Sequence, residues 1–418
     1  MDKVAPILHA PAGWGWENLG DVCRSGGGDI QTGPFGSQLH ASDYVSDGVP
    51  AVMPKDIGDN RIVPDSAARI DAKDARRLSR YLLQRGDIIY GRRGDIGRHA
   101  LVRPAEVGWL CGTGCLRIRL GRSGFDAAFV SWYLAHPAVV EWIRQRAVGA
   151  TMPNLNTAIL ESVPIPHPPL PEQERIANIL TALDDKIELN RRTIQTSQRF
   201  LDATFRRLMA DPGAASPIPI DQLARVAGGS TPPTEREEYW LGGSYAWATP
   251  KDLSRLQAPV LLETERRITD KGVARIGPGM FPAGTVLLSS RAPIGYLAIS
   301  EIPTAVNQGI IAMVPIGRVS SQFLFHWAQF AMDDIKARAN GTTFQEISKG
   351  SFRPMVVRVP PRDRLEKFDS LAAHVHRLTV IGAGENRTLA ELRDLLLPKL
   401  ISGAIGIKDV EKTVESAV

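Results

Sequence analysis

Residues that could carry out bond-making chemistry are sparse in this sequence and lack the neighbours such chemistry needs. Asp184-Asp-Lys186 has the D-x-K spacing with which some nucleases hold Mg²⁺ beside a lysine. It lies inside a heptad-patterned segment without a partner acid upstream, so we predict a place on a helix surface. The phosphate-loop, HExxH, GxSxG and GxGxxG patterns are absent, as is the Asn/Asp-Pro-Pro-aromatic motif of amino-methylating DNA methyltransferases. We therefore predict that the chain is not itself an enzyme.

Potential metal ligands are equally scattered. Cys111 and Cys115 have no second ligand pair at the spacing of a zinc site, and the 8 histidines follow no ligand pattern. Together with Cys23 they make 3 cysteines, which do not suggest a disulfide framework. We expect buried or incidental thiols and no bound metal or cofactor.

Composition sets broad limits on the class of protein. The 418 residues exceed one ordinary core, and 43% hydrophobic with 23% charged residues is typical of a folded protein. The formal charge of +5 permits nucleic-acid binding without requiring it. No apolar run approaches the roughly 20 residues of a membrane span, and the first residues lack a signal-peptide pattern. These features lead us to expect a cytoplasmic protein.

The strongest pattern is an internal repeat, in which collinear segments match in pairs about 196 residues apart. The pairs are Leu19-Gly-Asp-Val22 with Leu223-Ala-Arg-Val226, Met53-Pro-Lys-Asp-Ile57 with Thr249-Pro-Lys-Asp-Leu253, Gly86-Asp-Ile-Ile89 with Gly284-Thr-Val-Leu287, and Gly149-Ala-Thr151 with Gly341-Thr-Thr343. The order is kept while the spacing drifts, as insertions in surface loops would produce. The chain is therefore predicted to contain two equivalent modules.

A proline-rich connector and a heptad helix follow the first module. Val163-Pro-Ile-Pro-His-Pro-Pro-Leu-Pro171 cannot be helix interior, whereas Pro171 suits a first helical position. Apolar residues then recur every seven positions at Leu180, Ile187, Ile194, Leu201 and Leu208, with Ile176 and Leu183 in the second heptad position. This pattern predicts one helix over 171–209 with a coiled-coil seam.

The second module ends in the same way. After Val359-Pro-Pro361, one heptad position is filled by Phe368, Val375, Leu389 and Leu396, and the other by Leu371, Leu378 and Leu392. Gly382-Ala-Gly384 interrupts this seam and predicts a kink or a local break. We expect the helix to end near 398–403, and the two long helices to pack antiparallel as a rod between two modules.

Each module is predicted to be α/β or mixed α+β. Gly86–Tyr90 and Gly284–Leu288 have the pattern of short strands, and Phe129–Arg146 and Phe323–Ala339 that of amphipathic helices. The predicted boundaries are 1–163 for the first module, 164–212 for the central helix, 213–360 for the second module, and 361–418 for the last helix and tail. The whole forms a pseudo-twofold repeat.

Several of these segments resemble one protein family. Pro168-Pro-Leu-Pro-Glu-Gln-Glu-Arg-Ile-Ala-Asn-Ile-Leu180 is similar to the central conserved region of the specificity (S) subunits of type I restriction-modification systems. Leu395-Leu-Leu-Pro-Lys-Leu-Ile-Ser-Gly403 resembles the C-terminal conserved end of that family. The second connector, Pro360-Pro-Arg-Asp-Arg-Leu365, departs from the family pattern because it lacks the Pro-Glu-Gln core. The resemblance covers almost the whole chain.

The resemblance implies a DNA-recognition subunit that does no catalysis. Each module would be a target recognition domain that reads one half of a split, asymmetric site in double-stranded DNA, and the helices would fix the spacer. Two methyltransferase (M) subunits would dock on the helices, and two restriction (R) subunits would join the full complex. S-adenosylmethionine, ATP and Mg²⁺ are then expected on those partner subunits.

Equivalent positions in the two copies and the chemistry of their side chains indicate which residues would meet DNA, and the heptad pattern indicates which would meet the partners. The DNA candidates are Lys55, Arg92, Arg93, Thr151, Asn154 and Asn156 in the first domain and Lys251, Arg291, Gln308, Thr343 and Gln345 in the second. The seam and partner candidates are Leu180, Leu183, Ile187, Ile194, Leu201, Val375, Leu378, Leu389 and Leu392. Structural roles compete at the DNA candidates, because the Lys-Asp pairs could form turn salt bridges and the Gly-Thr loops could be caps.

Two other classes of function stay open from the sequence. A duplicated scaffold that binds proteins would show no salt-dependent affinity for DNA and no methyltransferase partner. A DNA-modifying enzyme with an unfamiliar site would have to bind S-adenosylmethionine or Mg²⁺ as an isolated chain.

Overall fold

The computed structural model describes residues 6–11, 13–63, 67–147, 154–210, 217–291, 293–341 and 345–406. The chain divides into two compact units, one formed by Met1–Asp185 with Ala390–Val418 and the other by Lys186–Leu389. Each unit contains one copy of the repeat and a part of both long helices. Within the described ranges, no helix is both long and apolar enough to cross a membrane.

The first unit is built from short strands and helices. Its strands are β1 (Gly15–Asn18), β2 (Asp29–Thr32), β3 (Tyr44–Val45), β4 (Val49–Val52), β5 (Ala68–Ile70), β6 (Ile88–Gly91), β7 (His99–Leu101), β8 (Leu110–Cys111), β9 (Cys115–Arg119) and β10 (Pro164–His167). Its short helices are α1 (Leu19–Ser25), α2 (Ala72–Arg77), α3 (Ala127–Ala135), α4 (Pro137–Arg146) and α5 (Thr157–Glu161). The long helix α6 (Leu170–Ala210) begins in this unit and continues into the second.

The second unit repeats this plan. Its strands are β11 (Pro217–Pro219), β12 (Ala224–Gly228), β13 (Tyr245–Ala248), β14 (Val260–Leu261), β15 (Arg266–Ile268), β16 (Val286–Ser289), β17 (Leu297–Ser300), β18 (Thr304–Val306), β19 (Ile310–Pro315) and β20 (Val356–Arg358). Its short helices are α7 (Pro250–Ser254), α8 (Asp270–Val273), α9 (Ser321–Phe330), α10 (Met332–Ala337) and α11 (Lys349–Phe352). The second long helix is α12 (Arg362–Ile401).

The sheets correspond between the units. The larger sheets have the orders β2-β9-β6-β7 and β12-β19-β16-β17-β14, and the smaller ones β3-β5-β4-β8 and β15-β13-β18. The ends of each domain close through the antiparallel pairs β1-β10 and β11-β20. The central strands β6 and β16 are buried along their whole length, and each pairs with a strand on both sides. The prediction of a mixed α/β tandem repeat is confirmed.

The amphipathic segments are broken where the sequence predicted continuous helices. The predicted helix over 129–146 splits into α3 and α4 because Pro137 lacks an amide hydrogen and holds His136 in an extended conformation. The predicted helix over 323–339 likewise splits into α9 and α10 at Ala331. Side chains cap the first helix of each pair, since Asp126 accepts from the Phe129 amide and Ser320 from the Phe323 amide.

The long helices pack antiparallel within the second unit. The side-chain nitrogen Nδ2 of Asn190 donates to Glu385 Oε2 at 2.8 Å and to Asn386 Oδ1 at 3.0 Å. Gln198 Nε2 donates to Thr379 Oγ1 at 3.1 Å. Residues of increasing number in α6 therefore contact residues of decreasing number in α12, so the two helices run in opposite directions. Of the predicted seam residues of α6, Leu208 is half-buried and the others are buried: Ile176, Leu180, Leu183, Ile187, Ile194 and Leu201.

The seam of α12 differs from its prediction at one position. Val375 is buried and Leu389 and Leu392 are half-buried, but Leu378 is 56% exposed, so its assignment to the seam is wrong. Thr379 occupies the seam instead, where its hydroxyl donates to the Val375 carbonyl at 2.9 Å and accepts from Gln198. The threonine can be buried because both hydrogen-bonding roles of its hydroxyl are satisfied.

The predicted local break at Gly382-Ala-Gly384 is also absent, since α12 is continuous from Arg362 to Ile401. A Cβ atom on Gly382 would lie 3.2 Å from Ile194 Cδ1. The glycine thus lets the two helices approach closely, rather than interrupting one of them.

Asp184 has a different role from the helix-surface one that the sequence suggested. The residue is 3% exposed, and its carboxylate pairs with Arg61 at 2.7 Å and with Arg393 at 3.2 Å. Burial raises the pKa of the neighbouring Asp185, but hydrogen bonds from Arg103 and Arg61 outweigh it, so this pKa lies below its usual value. The two carboxylates bind the first domain to the helices of its own unit.

The cysteines are buried, which limits their reactivity. Burial raises the pKa of Cys23 and of Cys111 to about 12, so their thiols stay protonated near neutral pH.

Two leucines of the second unit allow a matched test of the seam. Leu201 is 1% exposed in α6, whereas Leu378 is 56% exposed in α12. We expect Leu201→Ala to reduce the free energy of unfolding by about 2–5 kcal/mol, and Leu378→Ala to change it by less than about 0.5 kcal/mol. Urea unfolding followed by circular dichroism measures both, and equal losses would contradict the seam described above.

Candidate nucleic-acid interface

The DNA candidates of the first domain lie where several strands end at one edge. Gly91 at the end of β6 pairs with Cys115 at the start of β9. The parallel strands β4 and β8 end side by side at Val52 and Cys111. The turns at 53–56, 92–94 and 112–114 therefore emerge together.

A capped turn presents Lys55 at this edge. The carboxylate of Asp56 is fully buried and accepts from the Met53 amide at 2.9 Å, which closes the turn. The Pro54 ring lies against Gly114, where an added Cβ would be 3.3 Å from Pro54 Cγ. Lys55 itself is exposed. The Lys-Asp motif thus combines a structural acid with an exposed cation.

Backbone pairing fixes Arg92 and Arg93 beside this turn. The Arg92 amide donates to the Gly114 carbonyl at 2.9 Å, and the Leu155 amide donates to the Arg92 carbonyl at 2.9 Å. Arg92 Nε donates to Asn154 Oδ1 at 3.0 Å, while Arg93 forms an isolated bridge with Asn154. Arg93 is exposed, and Arg92 is half-buried.

Asn156 has a structural role in this segment. Its side chain accepts from the Ile159 amide at 2.9 Å and caps α5. Thr151 lies outside the described residues. The structure therefore brings together Lys55, Arg92, Arg93 and Asn154, and it leaves Asn156 as a helix cap beside them.

The second domain reproduces the same backbone pairing. The Ser290 amide donates to the Gly309 carbonyl at 2.8 Å, and the Ile347 amide donates to the Ser290 carbonyl at 3.0 Å. Arg291 forms an isolated bridge with Glu346, as Arg93 does with Asn154. Arg291 therefore occupies the position of Arg93, and the two edges are equivalent.

The other candidates of the second domain surround Arg291. Lys251 lies in α7, which Thr249 caps by accepting from the Asp252 amide. Gln308 Oε1 accepts from the Thr231 hydroxyl at 2.7 Å, and Gln345 is exposed next to Glu346. Thr343 lies outside the described residues.

The two edges differ in charge. Lys251 pairs with Glu265 at 2.9 Å, and Arg291 lies 3.8 Å from Glu346. In the first domain the position of Glu346 is taken by the neutral Asn154. Exposed pairs of this kind contribute little to stability, typically about 0–1 kcal/mol, but they reduce the positive potential of the second edge.

Sequence reasoning missed Thr113. It occupies the position of Gln308, because Gly112 and Asn307 donate from equivalent amides to the Val52 and Ala248 carbonyls. The Thr113 hydroxyl donates to the Pro34 carbonyl at 3.1 Å. The signal was available in the repeat, since Gly112-Thr-Gly114 aligns with Asn307-Gln-Gly309.

Together, the fold and these edges define a protein with two tandem domains of one plan, each followed by a long helix. Comparison with known proteins gives the family. The model for the type I restriction modification DNA specificity domain matches residues 11–197 and 216–372, most of the chain. The chain belongs to this family, as a specificity subunit rather than a catalytic one, and it contains two such domains in tandem.

Individual relatives agree with this assignment. The type I restriction enzyme MjaIX specificity subunit of Methanocaldococcus jannaschii is 34% identical over 175 residues, which cover 41% of this chain and 40% of that protein. The putative type I restriction enzyme MjaX specificity subunit of the same organism is 20% identical over 431 residues, 97% of each chain. The crystal structure of the type I S subunit from M. genitalium has a TM-score of 0.61 at 17% identity, over 95% of this chain and 98% of that one. This last similarity concerns the fold alone.

Proposed function

We propose that the chain is the DNA-recognition subunit of a type I restriction-modification complex, and that each domain reads one half of a bipartite, asymmetric site. The repeated strand-end edge is the observation that supports this most directly. It presents Lys55 and Arg93 in one domain and Lys251 and Arg291 in the other on the same backbone framework. Lysine and arginine supply phosphate contacts and bidentate guanine contacts, and the nearby Asn154 and Gln308 are suited to adenine.

Differences between the edges support two different half-sites. Asn154 in the first domain is replaced by Glu346 in the second, and Thr113 by Gln308. A carboxylate accepts from the amino group of cytosine, whereas an amide can pair with adenine. Equivalent scaffolds with different groups at the edge would therefore select different bases.

The long helices suit the role of a spacer ruler. The helix α6 has 41 residues and so spans about 62 Å, which approaches two helical turns of DNA at roughly 34 Å each. The antiparallel seam between α6 and α12 in the second unit would resist sliding, and a fixed helix length would then fix the unspecified spacer.

The outer faces of the helices suit partner docking. Leu378, Ile381 and Leu395 of α12 and Leu189 and Phe200 of α6 are each more than half exposed. On α12 they follow heptad spacing one residue away from the seam. We propose that two methyltransferase subunits dock on such faces, and that two restriction subunits complete the assembly. S-adenosylmethionine, ATP and Mg²⁺ would bind to those partners, and the complex would act on DNA in the cytoplasm.

The first test is the methylation pattern of a host that expresses this chain with its methyltransferase partner, compared with the methyltransferase alone. We expect a split asymmetric motif that appears only when this chain is present. Long-read sequencing that detects methylated bases gives both half-sites at once. No motif, despite copurification of an active methyltransferase that binds its cofactor, would contradict the proposal.

The ruler can be tested by adding one heptad to both helices, after Asn190 in α6 and after Glu385 in α12, which face each other. Seven residues keep the seam in phase and add about 10 Å, or about three base pairs. We expect the same half-sites separated by a spacer longer by about three base pairs, measured from the methylation motif. An unchanged spacer would contradict the ruler, and one heptad in α6 alone serves as the out-of-register control.

Arg291 and its neighbour Glu346 provide a matched pair with opposite effects. We expect Arg291→Ala to weaken binding of the assembled methyltransferase to duplex DNA and to reduce the slope of log K against log salt by about one. Glu346→Gln should strengthen binding to a duplex that lacks the recognition site a few-fold, because it removes a negative charge beside the DNA phosphates. Fluorescence anisotropy measures both changes.

The control for this pair is Arg362→Ala, which removes an exposed arginine that is ion-paired with Glu366 at the start of α12. It should leave the salt slope unchanged. If Arg291→Ala behaved like this control, the proposed contact would have to be withdrawn.

A further inference from the structure

Arg266 of the second domain stacks on a pair of tryptophans. Its guanidinium carbon lies 3.6 Å from the centre of the Trp240 ring and 5.7 Å from that of Trp247. The two indoles meet edge to face, with ring centres 4.9 Å apart. The side chain of Arg266 is exposed, and no hydrogen bond or ion pair of its guanidinium is found among the described residues. The stack holds the planar guanidinium group of Arg266 in one orientation, while its N–H donors remain available.

The two tryptophans form a rigid support. Trp247 is 4% exposed and packs in a core with Ile268 and Ile276. The indole N–H of Trp240 donates to the Pro233 carbonyl at 3.0 Å, and that of Trp247 donates to the Ser230 carbonyl at 3.3 Å. Arg266 therefore rests on rings whose positions are fixed by packing and by hydrogen bonds.

This support adjoins the proposed DNA edge of the same domain. Both indoles donate to the segment 230–233, whose Thr231 donates to Gln308. In addition, Glu265 precedes Arg266 and pairs with Lys251. Arg266 is thus linked through its neighbours to two residues already assigned to the edge, Gln308 and Lys251.

The first domain has no counterpart of this arginine. Arg267 pairs with Ala246 as Arg69 pairs with Pro50, so Arg267 and Arg69 are equivalent. Both have the same structural role, because Arg267 donates to the Ser244 carbonyl at 3.0 Å and Arg69 to the Gly48 carbonyl at 2.9 Å. By the same register, Ala68 and Ala51 stand where the second domain has Arg266 and Trp247.

We propose that Arg266 is a specificity-determining residue that donates to the O6 and N7 atoms of a guanine in the half-site read by the second domain. A pre-oriented guanidinium suits bidentate recognition of guanine, because two of its N–H donors match the O6 and N7 acceptors on one base edge. At the equivalent position of the first domain, Ala68 and Ala51 cannot form this stack, which agrees with a role in one half-site only. The inference rests on the proposed function and deepens it.

The test compares Arg266→Lys and Arg266→Ala with the neighbouring Arg267→Ala in the full complex with methyltransferase subunits. Methylation motifs are determined in cells, and duplexes that carry each of the four base pairs at every position of the second half-site compete for binding. We expect both Arg266 variants to lose roughly ten- to a hundredfold discrimination for guanine at one position. The first half-site should stay unchanged, and Arg267→Ala should keep the wild-type motif.

A further variant separates the stack from the guanidinium. Trp240→Leu keeps Arg266 but removes its support, and we expect a smaller loss of discrimination at the same position. Uniform weakening on all duplexes, or an unchanged motif in both Arg266 variants, would overturn the proposal while leaving the proposed function intact. A wild-type complex without a bipartite motif would overturn the proposed function, and this inference with it.

Discussion

The register of the antiparallel seam in the second unit is the constraint on which the proposed function depends. Three contacts define it: Asn190 with Glu385 and Asn386, Ile194 with Gly382, and Gln198 with Thr379. A slip by one heptad would place Val375 or Leu389 against Ile194, where only glycine permits the close approach. In one direction it would also leave Gln198 facing Ala372, which has no acceptor in its side chain. Polar and small residues thus select one alignment, at some cost in apolar burial.

Sequence reasoning predicted the long helices well because a heptad pattern is local and repeats many times. It failed where the seam uses residues that a search for leucines passes over. The heptad pattern favours Leu378 over the adjacent Thr379 and indicates a kink or break at Gly382, because the partner atoms on Gln198 and Ile194 cannot be paired from sequence. The split between α3 and α4, by contrast, could have been predicted from Pro137.

The ionic core around Asp184 was unpredictable for a related reason. Its partners Arg61 and Arg393 lie far away along the chain, so the D-x-K pattern alone suggested an exposed side chain.

At the DNA edge, the internal repeat of the sequence indicated which residues are equivalent. The repeat aligns Lys55 with Lys251 and Arg93 with Arg291, and both pairs lie at equivalent turns, which follow β4 and β6 in one domain and β13 and β16 in the other. The charge of that edge was not predictable, since Glu346 reaches Arg291 only through an isolated bridge.

The internal repeat separates what the scaffold needs from what recognition needs. Residues that do the same thing in both domains maintain the framework: Asp56 and Asp252 cap turns, and Arg69 and Arg267 donate to backbone carbonyls. Residues that differ at equivalent positions, such as Asn154 against Glu346 and Ala68 against Arg266, leave the backbone pairing unchanged. Side chains at these positions can therefore change without refolding the domain. A chain that must read two different half-sites with one duplicated fold needs this property, because each domain can then diverge independently of the other.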